Sequence, residues 1–156
     1  MKRACWLSLA LLLVFASAGR GEERAYRMVG PDEPSALPVA RQILAHLAAG
    51  EIDEAARLSN EPARRTEVLR DYLRAVGEAE FRRVYAEYLQ PPNHLAAEIA
   101  LGPRRLLIWQ LDTAGEQFAG QYYIESEGRF LMDDRPGPER AVLRQALTER
   151  RKHSRR

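Results

Sequence analysis

Residues 95–111 read LAAEIALGPRRLLIWQL, and residues 118–132 read FAGQYYIESEGRFLM. Apolar residues recur with a period of two up to the turn at Gly102, which is typical of a half-buried strand. A nearly continuous apolar run follows from Arg105, as expected of a strand that is covered on both faces. The second stretch alternates again and turns tightly at Gly128. Strands with this period and short connections predict an antiparallel meander of about four strands.

The chain before this meander has the period of helices. Four apolar stripes predict four helices, and Gly50, Gly77 and the Pro91 region end three of them. A fifth stripe predicts a helix after the meander. The stripes are Val39, Ile43, Leu44 and Leu47; Ile52, Ala55, Ala56 and Ser59; Val68, Leu69, Tyr72, Leu73 and Val76; Phe81, Val84, Tyr85, Tyr88 and Leu89; and Val142, Leu143, Ala146 and Leu147. Helices followed by a meander indicate a single α+β domain over residues 35–149, with the helices on one face of a curved sheet.

The first eighteen residues have the layout of a secretory signal. Lys2 and Arg3 precede an uncharged apolar run, and small residues lead up to a cleavage site between Ala18 and Gly19. The alternative is a membrane anchor, but the uncharged run of 16 residues is shorter than the roughly 20 that a span needs. We therefore expect a secreted protein, periplasmic if the source is a Gram-negative bacterium. The mature chain has no transmembrane segment, and it has no disulfide because Cys5 lies in the signal.

Charge is distributed unevenly around the domain. The formal net charge of +2 combines +2 over residues 1–18, −5 over the body at residues 19–149 and +5 over the end at residues 150–156. An acidic body argues against a nucleic-acid interface. Residues 19–34 are polar and predict a flexible lead-in, with a short extended piece at residues 26–29. Residues 150–156 contain no apolar side chain and predict a disordered basic tail.

The basic tail has two interpretations. Its cations could bind a polyanion such as an anionic envelope surface. Equally, they could form a solvated end without a partner. The candidate polyanion-binding residues are Arg150, Arg151, Lys152, Arg155 and Arg156.

Catalytic and metal-binding motifs are absent from the sequence. His46, His94 and His153 have no metal-ligand spacing, so we expect no metal and no cofactor. Asp133 and Asp134 end the last strand, and adjacent strand residues point to opposite faces. One of them could act as a general base, as could Asp112, but a turn or cap role is favoured for all three.

Aromatic residues are the most informative candidates for a binding site. We predict that a cluster of them lies between the helices and the sheet, either as plain core or as the lining of a pocket for an apolar ligand. The candidates are Tyr72, Tyr85, Trp109, Tyr122 and Tyr123. Gln110 and Gln121 adjoin them and are the polar side chains expected to project into such a cavity.

Two segments resemble the nuclear transport factor 2-like (cystatin-like α+β) superfamily. Residues 38–59, PVARQILAHLAAGEIDEAARLS, resemble its opening pair of helices, and residues 117–134, QFAGQYYIESEGRFLMDD, resemble its closing hairpin. Together they cover about 40 of the 138 residues of the mature chain. Family members commonly place strands earlier, whereas residues 63–89 here predict two helices.

The resemblance implies a cone-shaped module that binds a ligand or a protein, and some members are isomerases, dehydratases or hydrolases. Three hypotheses follow. The protein is an exported, non-catalytic module that binds a protein partner or a small apolar ligand. Alternatively, it is a small enzyme that uses a pocket carboxylate and a tyrosine. A third possibility is an envelope-associated protein held by its basic tail.

Overall fold

The computed structural model describes residues 26–115 and 117–154, and it has the α+β architecture that the sequence predicts. The cleavage site at Ala18 and Gly19, and also Arg155 and Arg156, lie outside the described residues. In chain order the elements are β1 (Arg27–Met28), α1 (Leu37–Ala48), α2 (Ile52–Arg57), α3 (Pro62–Val76), α4 (Glu78–Glu87), β2 (His94–Leu101), β3 (Arg104–Leu111), β4 (Gln117–Ser126), β5 (Arg129–Met132) and α5 (Pro138–Ser154).

The sheet has five antiparallel strands in the order β1-β2-β3-β4-β5, one more than the predicted four. The additional strand is β1, in which Arg27 pairs with Ala100 and Met28 with Ile99. The Val29 N–H extends this pairing by donating to the Glu98 carbonyl at 2.9 Å. The short extended piece predicted at residues 26–29 is therefore confirmed, and it satisfies backbone groups on the otherwise open edge of β2.

Helices cover both faces of the sheet. Along β3, Leu107, Trp109 and Leu111 pack against the N-terminal helices, whereas Leu106 and Ile108 pack against α5. The two-sided burial predicted for this strand is confirmed. The expectation that all helices lie on one face is wrong for α5, because the even-numbered residues of β3 need their own apolar cover. We call the two sides the helix face, under α1–α4, and the outer face, under α5.

The C-terminal helix is longer than the sequence predicts. α5 continues through Ser154, so the prediction of disorder is wrong for the start of the basic tail. The Arg151 Nε donates to the Phe118 carbonyl at 2.8 Å, and the Arg150 guanidinium lies 5.5 Å from the Phe118 ring centroid. Cations at a helix C-terminus also interact favourably with the helix dipole. These contacts replace the apolar docking that the tail lacks.

Two apolar residues of the predicted stripes remain exposed. Val68 is 50% exposed on α3, where Leu69 is the buried residue, and Leu89 is 39% exposed just beyond α4. α3 packs mainly against α2 and α4 rather than against the sheet, so it has a narrower buried face than its apolar stripe suggests.

Candidate functional site

The predicted aromatic cluster is divided into three parts. The first part joins α3 to α4, where the Phe81 ring centroid lies 5.8 Å from that of Tyr72 and 4.9 Å from that of Tyr85. Tyr72 and Tyr85 meet edge to face at 6.3 Å. Edge-to-face pairs at these separations are favourable for aromatic rings. This part holds the two helices together.

Trp109 and Tyr123 form the second part, deep in the helix face. Their exposed fractions are 2% and 0%. The Trp109 Nε1 and the Tyr123 hydroxyl both donate to the Oε1 of Gln121, at 2.9 and 3.1 Å. Tyr88 packs edge-on against the indole at 5.7 Å. Both residues belong to the core, and they fix the amide of Gln121 in one orientation, with its Nε2 without a partner among the described residues.

Tyr122 forms the third part, on the outer face. It packs with the apolar residues under α5, and the Arg140 guanidinium lies 4.6 Å from its ring centroid. The five candidate residues therefore do not all line one pocket, and Trp109 and Tyr123 fit the other predicted alternative, plain core. The reason is the alternation of β4, which directs Tyr122 and Tyr123 to opposite faces of the sheet.

A small cavity opens at the edge of the sheet, mainly on the helix side, and residues of the outer face reach it around that edge. It has a volume of about 250 Å³ and lies where β4 extends beyond the shorter β5. Its apolar walls come from α1, α2, α3 and the end of β5, and polar residues complete it. The lining consists of Ile43, Leu47, Ala55, Leu69 and Met132, together with Arg65, Tyr85, Gly120, Gln121, Tyr122, Asp133 and Arg140. We call this the helix-side cavity.

Hydrogen-bond donors dominate the polar part of the helix-side cavity. The Gln121 Nε2 is one donor, and the Tyr85 hydroxyl is a second. Burial, aided by nearby Tyr72, raises the pKa of Tyr85 to about 12, so its hydroxyl is protonated at neutral pH. Arg140 donates through Nη1 to the Asp133 carbonyl at 3.0 Å, while its buried Nε has no partner among the described residues.

The two adjacent carboxylates diverge, as the sequence predicts. Asp133 is 1% exposed and accepts hydrogen bonds from the Asn60 amide, at 2.8 Å, and from the Arg104 guanidinium. Asp134 is bound by the Arg65 guanidinium through both of its oxygens. Each carboxylate ties the end of β5 to another part of the chain, so their contacts are those of structural residues.

The other candidate residues lie apart from the helix-side cavity. Asp112 accepts a hydrogen bond from Gln110 at 2.8 Å, and His46 pairs with Glu51 at 2.6 Å on the surface. Gln110 therefore does not project into the cavity, whereas Gln121 lines it. Over residues 26–115 and 117–154, no group of three His, Cys, Asp or Glu residues could hold a metal ion. In the same part of the chain, no helix is sufficiently long and apolar to span a bilayer.

Sequence reasoning missed Arg65, Gly120 and Arg140 as cavity residues. Arg140 belongs to α5, which packs on the outer face, yet its side chain reaches the edge of β4. Nothing in the local sequence indicates that a residue after the meander meets residues of α1 and α3.

Comparison of the chain with protein-family models, with curated proteins and with solved structures finds no match.

Proposed function

We propose that this protein is an exported, non-catalytic binding module and that its ligand occupies the helix-side cavity. The observation that carries the proposal is the amide of Gln121. Two buried donors hold its oxygen, so its Nε2 group is a preoriented donor beside apolar walls. A few oriented polar groups in an apolar cavity are typical of ligand sites.

The chemistry of the cavity favours a ligand that accepts hydrogen bonds. Gln121, Tyr85 and Arg140 all offer N–H or O–H groups, and Arg140 adds positive charge. A carboxylate would use such donors well, since hydrogen bonds to charged acceptors are stronger than neutral ones. The volume of about 250 Å³ lies below the roughly 300–1,000 Å³ of common ligand sites, so the ligand is small. We infer a small organic acid with a compact apolar body.

The contacts of Asp133 favour binding over acid–base catalysis. A general base must be able to reach a substrate proton and accept it. In Asp133 one carboxylate oxygen is bound by Asn60 and the other by Arg104. The Tyr85 hydroxyl is also a poor proton donor, because its pKa is raised. The resemblance to nuclear transport factor 2-like proteins supports the same proposal, since it implies a ligand between the helices and the sheet.

The proposal can be tested with benzoate as a probe and with benzylamine and toluene as probes of similar size. Calorimetric titration should give the tightest binding for benzoate. Replacing Tyr85 by Phe keeps the ring contacts and removes one donor. Loss of a hydrogen bond to a charged group costs about 1.5–3 kcal/mol, so Tyr85→Phe should raise the Kd of benzoate by about tenfold or more.

The matched control is Tyr72→Phe, which removes a neighbouring hydroxyl that does not line the helix-side cavity. We expect this control to bind benzoate like the parent protein. Equal binding of benzoate and benzylamine would argue against the donor-lined cavity as the site. An equal loss of affinity in the two tyrosine variants would do the same.

A further inference from the structure

A second, larger depression lies on the outer face, and we call it the outer groove. It runs between β1 and the C-terminal half of α5, with a volume of about 760 Å³. Its floor is apolar and consists of side chains from three strands of the sheet, while α5 contributes basic groups to its rim. The residues that matter here are Met28, Ile99, Ile108, Phe118, Arg150 and His153.

The groove exists because the elements above the sheet do not reach across it, although the floor residues Ile99 and Ile108 are themselves only 5% and 1% exposed. α5 packs mainly over β3 and β4, and β1 contains only two residues. Met28 is 57% exposed at one side of the groove, although Ile99 beside it is nearly buried. Ala97 and Ala146 also line the groove and fill little space. The result is a recess with an apolar floor and polar sides.

The rim of the outer groove is cationic at the end nearest the C-terminus of α5. The Arg151 bond to the Phe118 carbonyl and the Arg150 contact with the Phe118 ring hold this end of the helix against the floor. The His153 Nδ1 donates to the Glu149 carbonyl at 2.8 Å, so in the neutral ring the Nε2 is an acceptor and the anion-binding group of this rim is Arg150. Arg150 lines this rim and has no ion pair among the described residues. Glu149 is the acidic residue on this rim, and Arg27 on the opposite side is paired with Glu33 at 2.6 Å.

We propose that the outer groove binds a single-chain anionic amphiphile, with its hydrocarbon chain along the floor and its anionic head beside Arg150. Charge complementarity at the rim selects an anionic head, and the apolar floor selects a chain rather than a polar body. A recess between a strand and a helix admits one chain, whereas a flat bilayer surface would reach only its rim. The proposal concerns a different face from the helix-side cavity and does not depend on it.

The first test varies the amphiphile. The protein, expressed from its full sequence, is titrated calorimetrically with octanoate, decanoate and dodecanoate below their micellar concentrations. Each added methylene that is buried should strengthen binding by up to about fourfold. Acetate, which has only the head, and dodecyltrimethylammonium, which has the same chain with the opposite charge, should bind much more weakly. Affinity that does not change with chain length would overturn the proposal.

The second test uses matched variants on α5. Arg150→Glu should lower the affinity for dodecanoate at least tenfold, because it replaces an attraction at the head by a repulsion. Arg144→Glu makes the same charge change at an exposed position of α5 that does not line the groove, and it should bind like the parent. Met28→Ser should also weaken binding, whereas Val68→Ser, at a similarly exposed position on α3, should not.

Two further outcomes would contradict the proposal. If Tyr85→Phe lowers dodecanoate affinity and Arg150→Glu does not, the amphiphile occupies the helix-side cavity instead. If the protein floats with vesicles rich in phosphatidylglycerol but does not bind soluble dodecanoate, the basic end of α5 binds a membrane surface and the groove holds no chain. Tyr85→Phe and Arg150→Glu should first show a single cooperative unfolding transition in urea, so that a loss of binding is not a loss of fold.

Discussion

Replacing Asp133 by Asn should destabilise the protein strongly. The carboxylate is 1% exposed, and its Oδ2 faces the guanidinium of Arg104, whose side chain is 14% exposed. Asn has nearly the same shape and can keep the bond from the Asn60 amide at 2.8 Å. Its NH₂ group, however, would place a donor against the donors of Arg104. The substitution therefore removes one charge and leaves the opposite charge without its partner.

The size of the effect follows from the surroundings of Arg104. Removing one partner of a buried ion pair costs about 3–5 kcal/mol. Here Arg104 keeps some solvent contact, and Glu139 lies 3.7 Å away as an alternative partner. We therefore expect the lower part of that range or slightly less, about 2–3 kcal/mol. For a domain of this size, that loss corresponds to a fall in Tm of about 6–10 °C.

Urea unfolding measures the loss, because the fluorescence of buried Trp109 reports on the core. Asp112→Asn is the control, since this carboxyl is only partly buried and has one hydrogen bond, to Gln110. We expect the control to change the unfolding free energy by less than about 0.5 kcal/mol. Adding Arg104→Met to Asp133→Asn should cost less than the sum of the two single changes, since it removes the orphaned charge. An Asp133→Asn variant as stable as the parent would refute the assignment of Asp133 as a structural residue.

Three further predictions concern the tyrosines, the packing of α5 and the N-terminus. Burial raises the pKa of Tyr85 to about 12 and also raises the pKa of Tyr123. Tyrosines in the unfolded chain ionise near pH 10, so above that pH the folded protein binds more protons than the unfolded chain. Stability should therefore fall as the pH rises through about 10 to 12, and urea midpoints that stay constant across this window would contradict it. Gly120→Ala should lower the free energy of unfolding by about 1–3 kcal/mol, because the added Cβ would lie 2.6 Å from a methyl of Leu147. Leu147→Ala in that background should recover part of the loss. Strictly additive costs in thermal unfolding would count against this contact. The intact mass of the exported protein should match residues 19–156, and a mass that includes Met1 would show that the signal is retained.

The strand pattern predicted most of the fold because it depends on local chemistry. The period of two along β2 and β4 and the continuous apolar run of β3 are properties of neighbouring residues. The same period of two places Tyr122 and Tyr123 on opposite faces of β4. Two adjacent residues of one strand therefore do not share a pocket on one face of the sheet. Which helix covers which face was not predictable, because an apolar face on β3 can be covered by any amphipathic helix.

Long-range contacts explain what the sequence left undetermined. The polar part of the helix-side cavity brings Gln121 of β4 next to Tyr85 of α4 and Arg140 of α5, and none of these is close to another in the chain. Gln121 was identifiable because it lies between aromatic residues on a predicted strand. In sequence, Arg140 cannot be distinguished from the surface arginines. It lines the cavity because the end of α5 that carries it lies close to β5.

The outer groove follows from the apolar pattern of α5. The buried residues of α5, which are Leu143, Ala146 and Leu147, lie in the middle of the helix. The two turns after them carry polar and charged side chains. These later turns carry no apolar side chain to fill the space beside the outer face of β2, so a groove remains there while the helix continues. The helix nevertheless persists, because Arg150 and Arg151 contact Phe118. Arg150, which helps to hold the end of α5, therefore places positive charge at the rim of a groove with an apolar floor, and this combination suits an anionic amphiphile.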